Sequence, residues 1–197
     1  MNGDICTICC ATERENSVDC PLHCEYLHDA HRHESTTRVD PASVPNGDIR
    51  VTEQFLQDNE LLMAFLAVTL FEAAAQTAAT TDWDLREALE ALITTYRAGQ
   101  SGIYYENRPL NALAARLVSS VQEKIAEIRK KEKDAAVTGL RDADILGVLV
   151  FLQRLEYSNN NKRKRSKAFL DLLRGFYLPA EMTQPAEAEP EAPRIIL

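Results

Sequence analysis

The residues best equipped for chemistry lie in one short stretch, residues 5–24, ICTICCATERENSVDCPLHC. All five cysteines of the 197-residue chain fall there, and all four histidines fall within residues 1–34. The spacing is Cys6-x2-Cys9-Cys10, a nine-residue gap, then Cys20-x3-Cys24. Thiolates are soft ligands, and zinc takes four such ligands in a tetrahedron at about 2.3 Å. Cys6, Cys9, Cys20 and Cys24 meet that count. A pair two residues apart can place both sulfurs on one ion through a tight turn whose backbone N–H groups point at the thiolates. For the second pair, Asp19 or Cys20 is the expected cap of a helix that starts at Pro21. Cys24 then lies in the first turn, where the positive helix end lowers a thiol pKa. Four thiolates close the coordination sphere, so the expected site is structural; catalytic zinc keeps a position open for water.

The expected helix continues through LHCEYLHDAHRHE. His28 and His31 follow Cys24 by four and seven residues and share its face. Each is a candidate further ligand, or a ligand to a second ion, against the plainer reading of a solvated helix residue. His33 falls off that face, and His23 takes the plain reading. Cys10 is the thiol left over, either a small packing residue or a reactive thiol beside the metal. Two other uses of the sulfurs stay open. Cys6-x3-Cys10 with Cys20-x3-Cys24 on antiparallel helices suits two disulfides, and four thiolates also suit an iron–sulfur cluster.

Bulk composition bounds these readings. The length allows one ordinary domain plus appendages. Hydrophobic residues make up 45% and charged residues 26%, which is the balance of a globular protein. The longest apolar run, LLMAFLAVTLF at 61–71, is too short to span a bilayer. The opening MNGDICTICC has neither the basic nor the apolar part of a secretory signal. The cytoplasm is therefore the expected compartment, and its reducing conditions favour metal over disulfides for clustered cysteines. A net charge of −8 argues against nucleic-acid binding over the whole surface.

ICTICCATERENSVDCPLHCEYLHDAHRHE resembles the N-terminal motif of a group of bacterial proteins. These carry Ile-Cys-x-x-Cys-Cys, a Gly/Ala-Thr-x-Arg step, Cys-Pro-x-Asp-Cys, and a Tyr-Leu helix ending near a histidine. A looser likeness extends to SGIYYENRP, LRDADILGVLVFLQR and KRSKAFLDLLR. The resemblance implies that Cys6, Cys9, Cys10, Cys20, Cys24 and His33 form the shared polar set. This chain has His23 where the motif has aspartate, and lacks an upstream cysteine seen in some relatives. The resemblance implies a specific metal site and no reaction.

Positioning these residues falls to four regions. Residues 1–34 form a Cys/His-rich module of the zinc-ribbon or knuckle type. It is short enough that zinc, worth roughly 10–16 kcal/mol in such modules, would carry its folding. Residues 35–50, with two prolines and an Asn-Gly pair, read as a linker or ordered loop. Residues 51–178 are helical in period, and residues 179–197, with four prolines and four glutamates, read as a disordered acidic tail.

The helical region parses into about five helices. The first spans about 52–78. The second is capped by Thr81 or Asp82, carries the stripe Leu85, Leu89, Leu92 and Tyr96, and ends near Gly99. Pro109 is the expected first residue of the third, whose stripe is Leu110, Leu113, Leu117, Val121, Ile125 and Ile128. The fourth begins near Asp142 and is apolar all round. The last holds Phe169, Leu170, Leu172, Leu173 and Phe176. The fold class is all-α.

Other chemistry is thin. Phosphate-binding glycine loops are absent from the sequence, and residues 51–197 hold no histidine with which to build the Glu-x-x-His pairs of a di-iron bundle. Glu72 and Asp144 are candidate semi-buried acids, with Arg116 or Arg154 as plain ion-pair partners. Tyr104, Tyr105, Glu106 and Arg108 cluster in one loop, as candidates to line a groove against the plainer reading of loop packing. Lys162, Arg163, Lys164, Arg165 and Lys167 put five cations in six residues, a candidate phosphate-binding patch without interleaved aromatics. The sequence thus predicts a non-catalytic zinc-binding protein that engages a protein partner and no membrane. Nucleic-acid binding through the basic run, and a redox or iron–sulfur sensor using Cys10 or the cluster, are the alternatives.

Overall fold

The computed structural model describes residues 5–34, 44–103, 106–135 and 139–177. Eight helices and no strand occur among them. They are α1 (Thr7–Glu13), α2 (Glu25–His33), α3 (Glu53–Asp58), α4 (Glu60–Ala75), α5 (Asp82–Gln100), α6 (Ala112–Asp134), α7 (Asp142–Asn159) and α8 (Ala168–Tyr177). The all-α expectation holds for these residues, and the acidic tail at 179–197 lies outside them. No helix among them is long and apolar enough to cross a membrane.

Helix α5 packs on α6 and α7, and α4 packs on α6, α7 and α8. The core runs through Leu66, Leu70, Leu85, Leu89, Leu92, Leu117, Val121, Ile125, Ile145, Leu149 and Phe169. The stripe of α5 is buried as its spacing demands, with Tyr96 at its lower end. Helix α7 is covered on most sides, from Ile145 through Leu152, which is why its sequence shows no polar face. A capping box starts α5: Thr81 is the N-cap, and Asp84 accepts from the Thr81 backbone N–H at 2.8 Å.

Three boundaries differ from the sequence reading, each for a local reason. The expected helix at 52–78 is split at Asn59, whose side chain bonds back to the Phe55 carbonyl at 2.9 Å. The break turns α3 so that Phe55 lies over Gly147 of α7. A Cβ at Gly147 would meet the ring at 2.4 Å. Helix α6 starts at Ala112 rather than Pro109, because Asn111 caps it by accepting from Leu113 N–H at 3.0 Å. Asn111 also donates to Asp84 at 2.6 Å, and Leu110 is left fully exposed instead of joining the stripe.

The third difference is in the N-terminal head. Residues 7–13, expected as a turn, form α1, and α2 starts at Glu25 rather than Pro21. Cys24 is therefore the N-cap of α2, and the Cys20–Cys24 segment is a turn closed by Cys24 N–H to the Pro21 carbonyl at 3.0 Å. Residues 44–51 are an ordered loop on the bundle. Arg154 donates to the carbonyls of Pro45, Asn46 and Ile49, and Asn46 bridges Arg97 and Gln153.

Candidate functional site

All five thiols are free. Cys6 caps α1, and its Sγ accepts the Cys9 N–H at 3.2 Å. The contact is that of a helix N-cap, in place of the tight turn expected for the first pair. The hydrogen bond between the two thiols lowers the Cys6 pKa and raises that of Cys9. Cys20 is 5% exposed, and burial pushes its thiol pKa up. Its thiol also feels the charges of Glu15, Cys24 and Cys10. The sulfurs thus sort into an exposed pair, Cys6 with Cys9, and a more sheltered trio, Cys10, Cys20 and Cys24. Among the described residues no three His, Cys, Asp or Glu side chains converge in a metal-holding arrangement.

The histidines divide differently from their helical spacing. His28 and His31 point at α8 and are engaged there. His31 lies between two carboxylates, with Nε2 3.1 Å from Glu15 and Nδ1 3.1 Å from Asp171. Both ring nitrogens are occupied, which leaves none for a metal. His28 Nδ1 lies 2.8 Å from Asp171 Oδ1, and Arg174 sits against the same ring. Asp171 Oδ1 has no well-directed hydrogen bond, so proximity to His28 and Arg174 holds it by charge. His23 and His33 are exposed.

Glu15 anchors this arrangement. It takes a left-handed φ of 56° in the turn after α1, a conformation costing roughly 1–2 kcal/mol, and its residue is fully buried. The turn aims its carbonyl at Arg165 N–H, 2.8 Å away, and its carboxylate at the loop before α8. That carboxylate accepts from Lys167 N–H at 2.5 Å, Asn161 Nδ2 at 2.7 Å and Arg163 at 3.3 Å. Burial raises the Glu15 pKa, but His31 and these donors outweigh it and the net shift is downward. Asp171 behaves alike: burial raises it, His31 and His28 pull it down further, and it ends lowered. For His31 burial acts to lower the pKa, and the two carboxylates overcome it, pushing it up to about 9.

The same contacts relocate part of the basic run. Lys167 is 2% exposed, and its ammonium donates to Asp19 at 2.7 Å and to the carbonyls of Cys20 and Ala78 at 2.8 Å. All three ammonium protons are matched, the condition for burying a lysine. Arg163 bridges Glu15 and Glu34. Lys162, Lys164 and Arg165 stay exposed. The run is thus partly a clamp on the head and partly a surface patch beside it.

Sequence reasoning missed Glu15, Asp171, Lys167 as a buried group, and Asp82. Asp82 was expected, as the alternative to Thr81, to cap its own helix; it is instead the first residue of α5 and, fully buried, caps α8 by accepting from the N–H groups of Phe169 and Leu170 at 3.0 Å. Burial pushes its carboxyl pKa up against those donors. The one sequence signal for these roles is polar residues beside the apolar run of α8. Glu156, also unsuspected, is fully buried and held bidentate by Arg86 at 2.8–2.9 Å.

The remaining candidates are ordinary. Glu72 is exposed. Asp144 pairs with Arg141 at 2.7 Å on the same turn, while Arg116 donates to Thr77 and Gln76. Arg108 reaches Glu106 at 3.3 Å, and Tyr104 and Tyr105 lie outside the described residues. No family model, curated protein or solved structure matches the chain.

Proposed function

We propose that the chain is a non-catalytic interaction protein of the cytoplasm whose N-terminal head takes a zinc ion through Cys6, Cys9, Cys20 and Cys24. The observation that carries this reading is the Cys6–Cys9 hydrogen bond at 3.2 Å, a backbone N–H poised on a sulfur at the first pair. The engagement of His28 and His31 by Asp171 and Glu15 favours an all-sulfur donor set. Cys10 is the spare thiol, within electrostatic reach of Cys20. Binding requires the exposed pair to close on the Cys20–Cys24 turn. The ion then acts structurally, and the helical bundle offers the surface for a protein partner.

Elemental analysis tests it. Protein purified under reducing, chelator-free conditions is expected to hold about one zinc per chain. Cys24→Ser should lose the metal, and His31→Gln should keep it. Metal-free protein with an ordered head would refute the reading. Iron with visible absorbance would move the assignment to the iron–sulfur sensor.

A second reading has its own observation. The basic loop touches the head through Arg163 and Lys167, so the exposed Lys162, Lys164 and Arg165 lie on the loop that clasps the cysteine-bearing head. A metal module flanked by free cations suits phosphate-backbone contact. Changing these three to alanine should abolish salt-sensitive binding to RNA or DNA; wild-type protein that binds neither at low salt would remove the reading.

A further inference from the structure

The basic run has no aromatic residue within it, and the fold brings one from elsewhere. Trp83, the only tryptophan of the chain, stands in the first turn of α5 and is 52% exposed. Two series of contacts tie it to the loop between α7 and α8. In the first, Asp82 N–H donates to the Ser166 carbonyl at 2.8 Å, and the Ser166 hydroxyl donates to the Asp82 carboxylate at 2.5 Å. Trp83 and Arg165 are the chain neighbours of this joined pair. In the second, the Arg86 guanidinium lies 4.7 Å from the centre of the indole and is held bidentate by Glu156. Glu156 also accepts from the Asn160 amide at 2.8 Å, and the Asn160 side-chain oxygen accepts Lys162 N–H at 2.7 Å. The indole is thus fixed to the loop near both of the loop's ends.

The charges of this region divide into matched and unmatched. Arg86 covers one face of the indole, and Glu156 matches its charge. Arg163 and Lys167 are turned inward onto Glu15, Glu34 and Asp19. Lys162, Lys164 and Arg165 remain, exposed and without an ion pair among the described residues. Glu87, one turn along α5 from Trp83, bounds this surface on the helix side. A half-exposed indole alone calls for no explanation, since single apolar residues are common on surfaces. Beside three unmatched cations it completes the two parts of a strand-binding surface: a π face for a base, and positive charge for the phosphates next to it.

We propose that this surface binds single-stranded nucleic acid, with a base stacked on Trp83 and the adjoining backbone along Lys162, Lys164 and Arg165. The proposal rests on the nucleic-acid reading of the basic loop and narrows it to unpaired strands. In a duplex the base faces are already stacked on one another, so a duplex engages the cations alone.

Intrinsic fluorescence tests it, because the signal comes from Trp83 alone. The full chain is titrated at low salt with oligothymidylate and oligouridylate of about 12 nucleotides, with a duplex of the same length, and with poly-glutamate as an anion without bases. Anisotropy of the labelled ligand follows binding in parallel. Single strands should quench the indole saturably and lose affinity as salt rises, whereas the duplex should bind more weakly and without quenching. Trp83→Ala should weaken single-strand binding about tenfold and leave duplex binding unchanged, and Trp83→Phe should recover most of the loss. Single strands that bind by anisotropy without quenching, or unchanged affinity in Trp83→Ala, would overturn the stacking proposal and leave the basic-loop reading in place. Poly-glutamate binding as tightly as the oligonucleotides would overturn it in favour of a general anion surface. No binding of any nucleic acid at low salt would remove both.

Discussion

The head and the bundle reach order by opposite means. The bundle buries leucine, isoleucine, valine and phenylalanine from five helices, and its interior charges are few and individually matched. The head buries Leu27 and Cys20 and little else that is apolar. It is fastened through Glu15, His31, Asp171 and Lys167, each of which would be costly to bury alone. Apolar burial is non-directional and indifferent to pH, whereas the head's fastening depends on protonation states and on single atoms. The two parts of one chain should therefore fail separately and for different reasons.

Removing the anchor should separate them most. Glu15→Ala takes one carboxylate from His31 and strips the N–H of Lys167, Asn161 and Arg163 of their acceptor. Breaking a buried charge pair on one side costs about 3–5 kcal/mol. The expected result is fast hydrogen exchange throughout α1 and α2, with α5 and α7 still protected. Equal loss of protection in α5 would show that head and bundle are one cooperative unit.

Acidity should separate them next. The His31 pKa is raised from 6.5 to about 9, so its contribution is complete below about pH 6.5 and is lost as pH rises through 9. Glu15 and Asp171 are lowered, so their contributions are present above the usual carboxylate range and are lost as pH falls from there through their lowered values. Docking should be firmest in weakly acidic solution and should weaken in both directions. The alkaline loss is on the order of 3 kcal/mol, from the size of the His31 shift. Exchange protection in α2, followed from pH 6 to pH 10, would check the sign, and His31→Gln should flatten the alkaline limb.

The contrast also explains what could be read in the sequence. Thr81 three residues before Asp84, and the spacing of Leu85, Leu89, Leu92 and Tyr96, are local signals, and the structure follows them. Asn111 displaced Pro109 as the start of α6 because its side chain serves two helices, which local spacing does not encode. Glu15 was illegible for a deeper reason. Its partners Asn161, Arg163 and Lys167 lie 146 to 152 residues away, and a glutamate in a turn carries no periodicity. Lys167 looked like one of five surface cations, since nothing in KRKRSK marks which one turns inward. The cysteines were visible at once by type, yet their division into a pair and a trio depends on α1 and α2, whose ends composition did not fix.

The smallest effect should come from the bundle's tightest contact. Gly147 lets Phe55 of α3 lie on α7, and an alanine methyl there would meet the ring at 2.4 Å. Gly147→Ala should gain helix propensity and lose this packing, for a net cost of about 1–2 kcal/mol. In Phe55→Ala the ring is gone, so adding Gly147→Ala should then be neutral or stabilising, and the double-mutant cycle reads the contact directly. Both variants should lower the thermal midpoint of α5 and α7 together while leaving the alkaline limb of α2 protection where it was. A shift of that limb would mean that strain at α3 reaches the Glu15–His31–Asp171 fastening, and that the apolar and ionic halves of this protein are mechanically joined through α7 and α8.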